Sequence, residues 1–159
     1  MSVAKLISWA ARGAIAGAVG TAALTLAYKT EHRMRPDVTG QLDYDDSLVP
    51  GQIVADVLHL GPVTDREKAE LKALLLWGYG SAFGIMHRTL RRELPEPYAS
   101  FVFGGMLMSA TFSLFPLLGR TPPPWKWPRD VLATSLGTHV AYVLGVAITD
   151  DVLGAGKRA

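Results

Sequence analysis

Residues 98–119, YASFVFGGMLMSATFSLFPLLG, and residues 131–149, VLATSLGTHVAYVLGVAIT, contain no Asp, Glu, Lys or Arg. Only RTPPPWKWPRD, residues 120–130, separates them. A helix crossing a hydrocarbon core about 30 Å thick needs roughly 20 mostly apolar residues, and both runs reach that length. The connector carries what a membrane surface favours: prolines that stop a helix, two amphipathic tryptophans, and basic residues beside them. The pattern reads as a transmembrane hairpin and sets the class of the chain.

The rest of the 159-residue chain is organised in the same way. Its 16 Lys and Arg and 14 Asp and Glu fall almost wholly in the N-terminus, residues 29–72, 88–96, 120–130 and a tail from 150. The intervals between are apolar and rich in Gly, Ala, Ser and Thr. Lipid excludes charge from whole segments in this manner, whereas a soluble amphipathic bundle scatters charges every three or four residues. A hydrophobic content of 49% suits either class, so the placement of the charges decides. The formal charge of +2 and the lack of a basic–aromatic platform argue against a nucleic-acid partner. With no cysteine, disulfides, thiolate metal sites and thiol catalysis are excluded.

The expected fold is all-α: a polytopic membrane protein built as a four-transmembrane-helix bundle, with a short interfacial helix in the first loop. The helices are expected over about 3–28, 65–92, 98–118 and 130–152, in one domain spanning 1–159. Trp9 and Lys5 suit an interfacial start for the first helix, with Arg12 snorkelling from inside it. Ala22, Ala23 and Ala27 are small enough for signal-peptide cleavage. Three further hydrophobic segments make the first one helix among four. In the long polar stretch that follows, residues 52–60 place Ile53, Val54, Val57 and Leu58 on one face and Gln52, Asp56 and His59 on another, as an interfacial helix would. Thr64-Asp-Arg-Glu67 is a capping-box sequence that starts the second helix near Asp65. That helix has the shortest charge-free part, 73–86, and charged turns at both ends. Pro116 is expected to kink or end the third helix.

Small residues recur at helical spacing in every segment. The stripes are Gly13, Gly17, Thr21 and Thr25 in the first helix and Gly80 and Gly84 in the second. Gly105, Ser109 and Ser113 follow in the third, and Ala133, Gly137, Ala141 and Gly145 in the fourth. Such grooves let helices approach closely in lipid, where packing replaces the hydrophobic effect as the driving force. Helices one and three, and two and four, are faintly similar, as a duplicated hairpin would be. Four spans put both termini on one side. The Arg88, Arg91 and Arg92 cluster in a short loop points to that side as cytoplasmic. The raw Lys and Arg count points weakly the other way.

His139 is the one ionisable group deep in a charge-free segment, and such groups are costly in lipid. It serves either as a proton-relay or ligand-binding residue, or as a neutral imidazole hydrogen-bonded to a neighbouring helix, with Ser135, Ser109 or Thr111 as partner. The second reading is favoured. His87 and His59 add to a metal reading, but no His pair has i, i+4 spacing and His87 stands beside three arginines, so no metal site is expected. Glu31 and the pair Asp150 and Asp151 read as boundary carboxylates paired with Arg33, Arg35 or Lys157; a transport reading would make them guards of a pore mouth. Asp43-Tyr-Asp-Asp-Ser47 fails as a calcium loop, because Leu48 stands where glycine is needed. No phosphate loop, nucleophile elbow or catalytic carboxylate pair is present, so neither catalysis nor a cofactor is expected.

The run Phe115-Pro-Leu-Leu-Gly-Arg-Thr-Pro-Pro-Pro, then Trp127-Pro, then Thr134-Ser-Leu-Gly-Thr-His139-Val-Ala-Tyr, resembles the YagU-like family of small bacterial inner-membrane proteins. That family has a similar Phe-Pro-Leu-x-Gly-x-Thr-Pro-Pro signature, followed by a proline and a Gly-His-x-Val-aromatic element. The segment Gly13-Ala-Ile-Ala-Gly17-Ala-Val, with Glu31 downstream, is similar to the family's first helix. The resemblance covers the C-terminal third and the first helix. Thr138 departs from it by separating Gly137 from His139, and Tyr142 stands where the family often has tryptophan. The resemblance implies a membrane protein of the bacterial inner membrane and names no reaction.

Together these readings lead to an accessory, scaffold or self-assembling bundle. Its partners would be the bilayer and a second copy or another membrane protein. The alternative is a proton-linked or small-solute conduit with His139 at mid-membrane.

Overall fold

The computed structural model describes residues 2–35, 65–118 and 121–155, with no account of the side chains of 65–72 and 155. The expected interfacial helix over 52–60 lies outside the described residues. All regular structure among the described residues is helical.

Helix α1 spans Val3–Met34 and opens on Ser2, whose Oγ accepts the Lys5 backbone N–H at 3.4 Å. It runs on past its expected end at Tyr28, because nothing between Lys29 and Met34 breaks a helix. Arg35, at φ −138°, leaves the helical region immediately before Pro36, whose ring disfavours a helical residue ahead of it. Helix α2 spans Asp65–Glu93 and ends with Arg91 and Arg92, cations suited to the negative end of the helix dipole. Helix α3 spans Tyr98–Leu117. Its first turn is capped by Glu96, whose carboxylate accepts the Ser100 N–H at 3.3 Å and the Ser100 hydroxyl at 3.0 Å. Helix α4 spans Arg129–Ala155, after a single 3₁₀ turn at Pro124–Lys126.

One irregularity interrupts α3. Residues Ala110–Leu114 form a π-turn, closed by the Phe115 N–H donating to the Ala110 carbonyl. Pro116 explains it. A proline lacks the N–H for the i−4 bond, and its ring collides with that carbonyl. Widening the preceding turn moves the carbonyl aside, so the helix continues to Leu117 before stopping.

The helices alternate in direction. Arg12, near the start of α1, donates to the Leu153 carbonyl at the end of α4 at 2.7 Å. The Arg92 guanidinium, at the end of α2, lies 5.4 Å from the centre of the Trp9 ring. At the opposite end, Glu31 of α1 accepts the Thr134 hydroxyl of α4 at 2.6 Å. The start of α1 and the end of α4 therefore share one end of the bundle. Helix α1 is central, packed on α2 along one side and α4 along the other, with α3 against α4 and α2.

Glycine makes both α1 seams possible. A Cβ on Gly17 would stand 2.2 Å from the Gly80 carbonyl oxygen, and one on Gly84 would stand 2.2 Å from the Gly13 oxygen. On the other side, a Cβ on Gly145 would lie 3.0 Å from the Gly20 Cα. Tyr142 of α4 reaches between them and donates its hydroxyl to the Gly80 carbonyl at 2.6 Å. Ala16, Phe103, Leu107, Tyr142 and Val146 form the buried apolar core.

The distribution of polarity is reversed relative to a protein built for water. Thr21, His87, Thr111, Ser135, Thr138 and Asp150 are buried. Leu132, Leu136, Val140, Leu144, Ile148 and Val152 form a continuous exposed stripe down α4, and α1 and α3 expose comparable rows. Water-soluble monomers rarely show apolar surface on this scale. Three helices, Val3–Met34, Tyr98–Leu117 and Arg129–Gly154, are long and apolar enough to cross a membrane. Among the described residues α2 is not one of them, since charged turns flank its short apolar run.

Candidate functional site

The polar interior gathers into three places along the bundle. Midway lies His139, half-buried on α4. Its Nδ1–H donates to the Ser135 carbonyl one turn earlier, at 2.7 Å. Its Nε2 then accepts the hydroxyl of Thr111, at 3.3 Å. A carbonyl can only accept, so Nδ1 carries a proton in this pairing. Thr111 lies within the π-turn, and π-turns commonly mark positions where a helix presents a particular side chain. Of the partners expected for His139, Thr111 supplies its hydroxyl and Ser135 its main chain, while Ser109 is exposed.

At the end shared by the start of α1 and the end of α4, a charged network ties α2 to α4. Asp150 is 5% exposed and accepts from Arg88 through Oδ1 and from Arg91 Nη1 through Oδ2 at 3.0 Å. Arg91 Nη2 also donates to Asp151 at 2.5 Å, and its Nε lies 3.5 Å from Glu96. Next to it His87 is wholly buried, with Nε2 3.2 Å from both Glu96 Oε1 and Ser100 Oγ, and its ring against Phe103. Among the described residues no group bonds His87 Nδ1. Carboxylates near a helix C-terminus oppose the helix dipole. Asp150 and Asp151 are held there by the guanidiniums of α2. That requirement was readable from the sequence; the partners were not.

At the far end, Arg35 bridges Glu31 of α1 at 3.4 Å and Asp130 of α4 at 2.6 Å. Glu31 thus pairs with Arg35, one of its expected partners. Asp150 and Asp151 pair with Arg88 and Arg91, and the expected partner Lys157 lies outside the described residues.

His139 and His87 do not meet. Eleven residues of helix separate His139 from Asp150 in the His87 network, about 16 Å along the axis. Among the described residues no three His, Cys, Asp or Glu side chains are grouped to hold a metal ion.

The candidate packing glycines divide into two sets. Gly13, Gly17, Gly80, Gly84 and Gly145 stand at interhelical approaches. Around Gly105 and Gly137 a Cβ would meet nothing within 4 Å. Within one chain those two line no seam, because the faces of α3 and α4 that carry them point outward.

Compared with known proteins, the chain matches no family model, no curated protein and no solved structure. Fold and site define a class: an all-helical protein with three helices long and apolar enough to cross a membrane, and with its polar groups turned inward.

Proposed function

We propose that the chain is an integral protein of a bacterial inner membrane that works through helix–helix contact, as an accessory or scaffold bundle and not as an enzyme. One observation carries the reading. The apolar side chains of α1, α3 and α4 face outward while glycine seams and hydroxyl, imidazole and carboxylate groups are enclosed. In water that arrangement is unfavourable; in lipid it is the expected one.

Helix α2 is the fourth span in this reading. Its 29 residues extend about 43 Å, beyond the roughly 30 Å of a hydrocarbon core. Its charges then fall at the ends, where Arg88 and Arg91 are neutralised by α4. Four spans place both termini and the Arg88–Arg92 turn on one side, the cytoplasm. The bilayer is the first partner, and a second copy or another membrane protein is the next. The resemblance to the YagU-like family agrees with this assignment.

His139 takes the structural role, since both ring nitrogens are engaged by α3 and α4. The test is carbonate extraction of expressed full-length chain, with reporter fusions at both termini and after residue 64. Retention in the membrane, cytoplasmic termini and an external first loop are expected. Release by carbonate, or a first loop on the same side as the termini, would overturn the reading.

A further inference from the structure

The charged end of the bundle carries an open cavity of about 220 Å³ that the packing role leaves unused. Its walls come from three helices: Trp9 of α1, Arg88, Arg91 and Arg92 of α2, and Asp150 and Asp151 of α4. Three guanidiniums face two carboxylates. Asp150 and Asp151 occupy Arg88 Nη1 and both Nη groups of Arg91. What remains are donors without acceptors. Arg88 Nε is buried with no hydrogen-bond partner among the described residues. Arg92 rests over the Trp9 ring and has no carboxylate partner among the described residues.

We propose that this cavity binds a phosphate group, carried by an anionic phospholipid headgroup or by a free phosphate ester. Arginine suits phosphate because its planar set of N–H donors matches two oxygens at once. Glu96, outside the lining, lies 3.5 Å from Arg91 Nε, so Arg92 is the guanidinium at this cavity left to attract an anion. Trp9 belongs at the headgroup level, where amphipathic rings collect. Basic pockets between spanning helices on the cytoplasmic side are established places for anionic headgroups. Asp150 acts as a positioning residue, holding both Arg88 and Arg91 along the cavity wall, whereas Asp151 competes with an anion for Arg91 Nη2. The lipid source rests on the membrane reading above, whereas the phosphate chemistry does not.

The experiment uses the full chain. It is reconstituted in nanodiscs of phosphatidylcholine alone or mixed with phosphatidylglycerol, and retained lipid is counted by native mass spectrometry. In parallel, inorganic phosphate is titrated against the detergent-solubilised chain, with chloride at matched ionic strength as control. Retained phosphatidylglycerol and little phosphatidylcholine is the result expected for a headgroup site. Phosphate binding without phosphatidylglycerol retention assigns the site to a free phosphate ester. Arg92→Gln, at an exposed position, should weaken binding roughly tenfold, the loss of one charge-assisted bond. Asp151→Asn should tighten it, because Arg91 Nη2 is released and one negative charge is removed. A purely structural ion-pair network would give no such gain. The proposal is overturned if neither phosphate nor phosphatidylglycerol binds, or if either substitution leaves binding unchanged. The phosphate titration needs no bilayer, so a chain that carbonate releases would still report on the cavity.

Discussion

Adding one methyl group at Gly17 tests the α1–α2 seam directly. In the Gly17→Ala variant the new Cβ would lie 2.2 Å from the Gly80 carbonyl oxygen and 2.8 Å from the Ser81 Cα. Real Cβ atoms essentially never approach within 3.0 Å, and both neighbours are backbone, which cannot rotate away. The helices must therefore part by about 1 Å, a gap that forfeits roughly a quarter to a half of each facing atom pair's attraction. The Gly80 carbonyl also accepts the Tyr142 hydroxyl, so opening the seam disturbs α4 as well. Overpacking of this kind costs about 1–3 kcal/mol, and the unyielding neighbours place Gly17→Ala near the upper value. For a chain of this size that is a fall of roughly 6–12 °C in Tm. Thermal unfolding of the purified chain in detergent measures it, with Gly137→Ala as the internal comparison. At Gly137 a Cβ meets nothing within 4 Å. Alanine there should leave Tm unchanged or raise it, since glycine inside a helix costs roughly 0.5–1 kcal/mol relative to alanine. If Gly17→Ala melts with the parent, or Gly137→Ala falls as far, the seam assignment is wrong.

Three further outcomes follow from the polar interior. Thr111→Val removes the hydroxyl that His139 Nε2 accepts and should cost about 1 kcal/mol in detergent unfolding. A double-mutant cycle with His139→Phe that gave no coupling would show the contact to be energetically silent. Asp150→Asn leaves Arg88 and Arg91 facing each other without their shared carboxylate; a loss of about 3 kcal/mol is expected, as when one partner of a buried pair is removed. Arg88→Gln in the same chain should recover part of that loss, and a purely additive double mutant would refute the pairing. Proteoliposomes should show the same solute permeability with and without His139→Ala; a clear fall in flux would instead support the conduit alternative.

Much of this architecture is legible in the sequence because its charges are confined to a few stretches. Segregation of Lys, Arg, Asp and Glu marks the segments, and the prolines of the connector mark the break before α4. Arg35, beside Pro36, ends α1, and the absence of any breaker between Lys29 and Met34 is equally readable once the end is sought at that proline. The glycine stripes are less decisive. Period-four spacing identifies a smooth helix face, but Gly17 and Gly137 have the same local signature and differ only in what lies across from them. That difference belongs to the packed bundle. The network around Asp150 is hidden for a similar reason: Arg88 and Asp150 are far apart in the chain, and only the alternating helix directions bring them together. The π-turn has a local cause in Pro116, yet its consequence, the placement of Thr111 against His139, depends on α4.

Counted as an angle, that π-turn resolves a mismatch along α3. Its buried positions, Ala99, Phe103, Leu107, Thr111 and Phe115, recur at a strict interval of four residues. Four residues of α-helix turn through about 400°, so such a row drifts about 40° per step and about 160° from its first member to its last. Uninterrupted, Phe115 would face nearly opposite to Ala99. A π-turn holds one residue more than an α-turn and so takes back about 100°, leaving a drift of about 60°. One face can therefore stay against its neighbours over the full length of the helix. In this sense α3 carries a built-in phase correction, and the residue that provides it falls where the helix also supplies the hydroxyl for His139.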